Sequence, residues 1–353
     1  SHGRQTVQWA SRRDLGKHPD SIGQRWLDGA DVASVSLTNL NGRTFDSIIG
    51  YTNVYEPALM VRRYFFMRPC GSAHGDELKL GTIMCIWPDG RVNNKDYIPG
   101  MCAMWPGMMA MAERSWVGGG ADGDHLPLEM TVELTESHRA YALFERRMQH
   151  LRAAQFAEES FPMWYESGVT WTIVGPVRTE QTAALRDSVI SGMFDGMATR
   201  QAQCANLYFR TRSDTGYLGM FPKVLPGHTI WAVTTIHADR AGKQKFMVGF
   251  DAPARSNRRW SGVPRNGEWS QCGTRIWLNG KELKNPRSYR LAGQKQLPDN
   301  AWNFEDPLDP EEIWWVQEPI EIELQQGENC FVIEQPYVGE FQSWGVSLIP
   351  LAD

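Results

Sequence analysis

The rhythm of apolar and polar positions changes once along this chain, near residue 168. Before that point, short apolar runs alternate with polar loops and with stretches of helical spacing. The runs are Thr6-Val7-Gln8-Trp9, Ser21-Ile22-Gly23-Gln24-Arg25-Trp26, Phe45-Asp46-Ser47-Ile48-Ile49-Gly50-Tyr51, and residues 80–87. Helical patterns follow the third and fourth runs, over residues 57–66 and 106–116. Strand, loop and helix in succession predict a parallel α/β arrangement. Four such units amount to half of a (β/α)₈ TIM barrel, a fold whose active sites lie at the C-terminal strand ends.

Residues 117–124, Val-Gly-Gly-Gly-Ala-Asp-Gly-Asp, read as flexible punctuation. A strong helical pattern then covers residues 136–159, with Thr135 as N-cap and Phe144, Met148 and Leu151 on one face. From residue 168 onward, β-runs are separated by Gly, Pro, Asn and Asp. Examples are Thr170-Trp171-Thr172-Ile173-Val174, Thr229-Ile230-Trp231-Ala232-Val233 and Thr274-Arg275-Ile276-Trp277-Leu278, the last followed by the hairpin signal Asn279-Gly280. This pattern predicts an all-β, jelly-roll-like sandwich. The expected organisation is therefore half a barrel over 1–130, a helix and linker over 131–167, and a sandwich over 168–353.

Composition adds one positive clue and several exclusions. Fifteen tryptophans suit a sugar-binding protein, because a flat indole covers the apolar face of a pyranose, although Trp also serves as core material. A net charge of -5 gives no reason to expect nucleic acid or an anionic membrane surface as partner. No apolar run reaches the length of a membrane span. The six cysteines show no CxxC spacing, so neither a zinc site nor a disulfide framework is expected, and no cofactor is called for.

The run Leu80-Gly81-Thr82-Ile83-Met84-Cys85-Ile86-Trp87-Pro88-Asp89, followed by Ala112-Glu113-Arg114-Ser115-Trp116, resembles the last βα unit of family 20 β-N-acetylhexosaminidases. In that family an apolar strand ends in Trp-x-Glu and the next helix carries Ala-Glu-Arg-x-Trp. Tyr51-Thr52-Asn53 resembles the Tyr-x-Asp or Tyr-x-Asn that ends the seventh strand. Trp9 and Trp26 fall where the fifth and sixth strands each present a pocket tryptophan. The resemblance covers residues 1 to about 160, ordered as strands five to eight.

The resemblance implies that Trp9, Trp26 and Trp87 wall a pocket for a terminal N-acetylhexosamine. At about 25 cal/mol per Å², three indoles contribute on the order of several kcal/mol to binding. It implies that Tyr51 donates its hydroxyl to the acetamido oxygen, the nucleophile of substrate-assisted retaining catalysis. Asn53 and Asp89 would hold the 4- and 6-hydroxyls. Both depart from the family, which usually has Asp and Glu there, so the reading of those hydroxyls differs by hydrogen bonds worth about 1.5–3 kcal/mol each. Glu113 and Arg114 read as a structural pair.

The family's catalytic Asp-Glu pair, in a His-x-Gly-Gly-Asp-Glu context, has no counterpart at the end of an earlier strand. Ala73-His74-Gly75-Asp76-Glu77 is a lookalike between the third and fourth runs and reads as a solvated loop. The expectation is thus part of an exo-acting β-N-acetylhexosaminidase acting on glycans. The acid Glu and its Asp partner would come from the N-terminal half of the same enzyme, as a second chain or an omitted segment. Periplasmic or secreted location follows from the family's habit of degrading extracellular glycans. The alternatives are a non-catalytic carbohydrate-binding protein that retains only the pocket, and a sandwich that tethers the enzyme to a partner or polymer.

Overall fold

Short β-segments come first and pair in chain order. In a computed structural model of the protein, β1 (Val7–Ala10), β2 (Ile22–Arg25), β3 (Thr44–Asp46) and β4 (Lys79–Thr82) form a parallel sheet in the order β1-β2-β3-β4. The structure describes residues 4–10, 21–25, 43–47, 50, 57–86, 99, 102–120, 136–159, 161, 163, 165, 168–213, 216–250, 267–270, 272–287, 319–338 and 344–351. Helix α1 (Pro57–Phe66) precedes β4, and helices α2 (Met104–Val117) and α3 (Glu136–Gln155) follow it. The end of α2 is set by Gly118, Gly119 and Gly120, all at positive φ, a conformation that a residue with a Cβ resists.

The remaining strands build two antiparallel sheets. A six-stranded sheet contains β5 (Thr170–Arg178), β6 (Thr199–Gln203), β9 (His228–Ala238), β11 (Arg275–Leu278), β12 (Lys281–Leu283) and β14 (Gly327–Tyr337). A five-stranded sheet contains β7 (Asn206–Ser213), β8 (Gly216–Leu218), β10 (Gly242–Phe250), β13 (Ile320–Leu324) and β15 (Trp344–Pro350). Strict alternation in β13 buries Ile320, Ile322 and Leu324 and exposes Glu321 and Glu323. Asn279 and Gly280 adopt positive φ and join β11 to β12 as a two-residue hairpin, with Leu278 opposite Lys281.

Period two also separates the two faces of the six-stranded sheet. Trp171, Ile173, Ile230, Ala232, Phe331 and Ile333 enter the large core with Leu207, Phe209, Phe246 and Leu348 of the facing sheet. Val174, Trp231, Trp277 and Val332 face the other way and pack with Val189, Leu185 and Ile190 of α4 (Thr182–Ile190). That helix is fastened by Arg186, whose guanidinium donates twice to Glu334, at 2.8 and 2.9 Å, while the Trp231 indole donates to the same carboxylate.

Residues of α1 and α3 share the large core with the sandwich strands. The junction is made around Arg62, which is 1% exposed. Its guanidinium lies over the Tyr208 ring, 5.4 Å from the centroid, and donates to the Asn206 carbonyl. Tyr208 alternates with the core residues Leu207 and Phe209, so α1 docks on the outer face of the five-stranded sheet. Burial alone works against the charge, but Cys204, Tyr141 and Glu145 around it raise its pKa above the usual guanidinium value. Burial, and the Arg62 charge beside it, hold the His138 imidazole below its ordinary value.

The parallel sheet is not half of a TIM barrel. Its strands are three or four residues long, and eleven of the fifteen strands among the described residues belong to the two antiparallel sheets. The apolar run 80–87 does not continue as one strand: Leu80 sits at a register shift against β3, Gly81 has φ 125, and β4 stops at Thr82. An apolar run of this length counts equally for a long buried strand and for a short strand with a buried turn, which is why periodicity overestimated it. Helices 57–66 and 106–116 do form, as Pro57–Phe66 and Met104–Val117.

Arg62→Met is expected to cost about 1–3 kcal/mol in urea unfolding, because the buried Asn206 carbonyl loses its donor and the buried Glu145 loses a charge that interacts favourably with it. Part of that loss should return when Glu145→Gln is added. An unchanged unfolding midpoint in the single variant would show that the junction does not rest on this charge.

Candidate functional site

A parallel sheet brings the C-terminal ends of its strands to one edge, and here the register aligns them in a row. Ala10 pairs with Arg25, Arg25 with Asp46, and Asp46 with Thr82. Such an edge is where ligands meet parallel α/β sheets, because the loops that follow the strands all leave from it.

Trp9 stands one residue before this row, paired in register with Gln24, and is 56% exposed. The Gln24 amide donates to the Ser47 hydroxyl at 3.3 Å, and Ser47 in turn donates to the Arg25 carbonyl at 2.7 Å. Opposite faces carry different chemistry. On the face of Arg25 and Asp46, the Cys70 N–H donates to the Asp46 carboxylate at 3.1 Å and the Cys70 thiol faces the Thr44 and Gly81 carbonyls. Burial pushes the Cys70 thiol up from its ordinary value. Asp46 is 5% exposed and committed to the backbone around Cys70, so it anchors the sheet end rather than offering a proton to a ligand.

Beyond the row, two chain segments are laced together. The Ile83 N–H donates to the Asp46 carbonyl at 3.0 Å, the Thr82 hydroxyl to the same oxygen at 2.6 Å, and the Cys85 N–H to the Gly50 carbonyl at 2.8 Å. Gly50 immediately precedes Tyr51, and Cys85 stands two residues before Trp87. Of the residues that the sequence proposes for the pocket, Trp9 is placed at this edge, whereas Trp26, Tyr51, Asn53, Trp87 and Asp89 lie outside the described residues. Trp26 directly follows Arg25, the last residue of β2.

Sequence reasoning missed Gln24, Asp46 and Ser47. A polar residue inside an otherwise apolar run was the available signal for Asp46 and Ser47: both are nearly or fully buried, which a strand end facing only solvent would not require.

The lookalike acidic pair sits at the other end of the sheet. Asp76 and Glu77 precede β4, and the Asp76 carboxylate accepts the N–H groups of Leu78 and Lys79, each at 2.8 Å. Those bonds, Lys79 first, hold its carboxyl below the ordinary range. Asp76 therefore closes a turn at the N-terminal edge. Glu113 and Arg114 bond different partners: Glu113 pairs with Arg147 of α3, and Arg114 donates to the Phe65 carbonyl at the end of α1 and to the Gly118 carbonyl. All six cysteines are free thiols, and among the described residues no group of His, Cys, Asp and Glu is placed to hold a metal ion. No helix among them is long and apolar enough to cross a membrane.

No family model and no curated protein matches the chain. Among solved structures it is similar to a family 35 carbohydrate binding module from Clostridium thermocellum. The match has 12% identity and a TM-score of 0.20, over 41% of this chain and 92% of that one. At that depth of superposition the likeness says nothing of what this chain binds.

Asp76→Ala is expected to quicken amide hydrogen exchange at Leu78 and Lys79, whose N–H groups the Asp76 carboxylate accepts. Unchanged exchange at both would show that the turn does not depend on this carboxylate.

Proposed function

We propose that this chain binds the terminal N-acetylhexosamine of a glycan at the C-terminal edge of its parallel sheet, as the sugar-holding part of an exo-acting β-N-acetylhexosaminidase-like hydrolase. One observation carries the reading: the aligned strand ends and the Gly50–Cys85 bond bring together, from four separate stretches of sequence, Trp9 itself, Arg25 next to Trp26, Gly50 next to Tyr51, and Cys85 two residues before Trp87. Trp9 offers an exposed indole for the apolar face of the sugar. Tyr51 orients the acetamido oxygen for attack on the anomeric carbon, and Trp26, Trp87, Asn53 and Asp89 complete the clamp.

The general acid and its Asp partner come from the N-terminal half of the same enzyme, as a second chain or a preceding segment. A periplasmic or secreted glycan is the matching substrate. The alternative, a non-catalytic carbohydrate-binding protein, draws on a specific observation: Asp76 is used up in a turn at the far edge of the sheet, and Asp46 is buried at the near one.

A GlcNAc-derived thiazoline separates the two readings, since it mimics the cyclised intermediate of the substrate-assisted route. The hydrolase reading expects it to bind at least about a hundredfold more tightly than N-acetylglucosamine, as transition-state-like ligands do. Equal affinities for the two would leave the chain a binding protein, and binding of neither would discard both readings.

A further inference from the structure

Gly50 is where the segments that follow β3 and β4 meet. Its carbonyl accepts the Cys85 N–H and the Tyr64 hydroxyl, each at 2.8 Å, which uses both lone pairs of the oxygen. Its own N–H donates to the Ser47 carbonyl at 3.0 Å. A side chain at position 50 has no room, since a Cβ there would stand 2.0 Å from the Ile83 carbonyl oxygen.

Tyr64 reaches this point from α1 and is fully buried. Its ring lies against Gly107 of α2, where a Cβ would come within 3.0 Å of the ring edge. The phenol is therefore held by two packed helices before it meets Gly50. In consequence one rigid hydroxyl fixes a carbonyl that is covalently next to Tyr51 and hydrogen-bonded to the segment that leads into Trp87.

We infer that Tyr64 is a positioning residue for the sugar site, holding Gly50 so that the Tyr51 and Trp87 segments start from fixed points relative to each other. The inference rests on the reading of Tyr51 and Trp87 as pocket residues. Tyr64 touches no substrate. It acts through the backbone, and its hydroxyl is the part that does so, because the ring is already packed against α2.

The test uses the full chain, with N-acetylglucosamine and glucose as calorimetric probes. Wild type is expected to bind N-acetylglucosamine in preference to glucose, and Trp87→Ala to lose that binding. Failure of wild type to bind, or binding that Trp87→Ala leaves intact, overturns the pocket and this inference together. With the pocket standing, Tyr64→Phe should weaken N-acetylglucosamine about fivefold, the effect of one hydrogen bond, while glucose affinity holds. That selectivity is the signature of a misplaced acetamido contact. Equal weakening for both sugars, or none, overturns the positioning role. Amide hydrogen exchange gives a readout independent of sugar: exchange at Cys85 should quicken in Tyr64→Phe, and unchanged exchange there also overturns it.

Discussion

A single buried guanidinium decides how the two parts of this molecule meet. Arg62 projects from α1 onto the outer face of the five-stranded sheet, where it lies over Tyr208 and bonds the Asn206 carbonyl. A charge at 1% exposure is tolerable only where its neighbours favour it, and Cys204, Tyr141 and Glu145 do so here. Because α1 also carries Tyr64 and packs on α2, the position of Arg62 along the helix sets where the helices stand over the strand ends. The sandwich thus meets the rest of the molecule through α1 and α3, which share its large core. Arg114 extends the same logic, tying the end of α1 to the glycine turn after α2.

The edge those helices hold is built from backbone more than from side chains. Asp46, Ser47 and Gly50 spend their polar groups on Arg25, Cys70, Ile83 and Cys85. In the proposed sugar site the contacts to the ligand come from Trp9, which is exposed at this edge. Such a division suits recognition of a sugar, for which a stiff frame lowers the cost of ordering the site on binding.

Local chemistry was legible in the sequence, and long-range arrangement was not. Residues 57–66 showed helical spacing and form α1, and Asn279-Gly280 announced the hairpin it makes, because both signals depend on a few adjacent residues. Trp171, Trp231, Trp277 and Trp344 show why tryptophan content is a poor guide to sugar binding: all four are consumed by packing in the sandwich. The half barrel failed because strand, loop and helix in succession fit any parallel α/β layer, and the real strands end several residues early, at Gly81–Thr82 and at Asp46. At the C-terminal edge of the parallel sheet, Trp9 was legible as an aromatic near a strand end. Tyr64 was not, because a tyrosine on the buried face of a helix looks like any core residue until its hydroxyl is seen on the Gly50 carbonyl.

The proposed sugar site is open to direct observation. A crystal structure of the chain grown with N-acetylglucosamine provides it. The account predicts a pyranose at the C-terminal edge of the parallel sheet, with its apolar face in van der Waals contact with the Trp9 indole and its acetamido group toward Tyr51. A sugar bound on the sandwich, at the N-terminal edge beside Asp76, or nowhere at saturating concentration would contradict it.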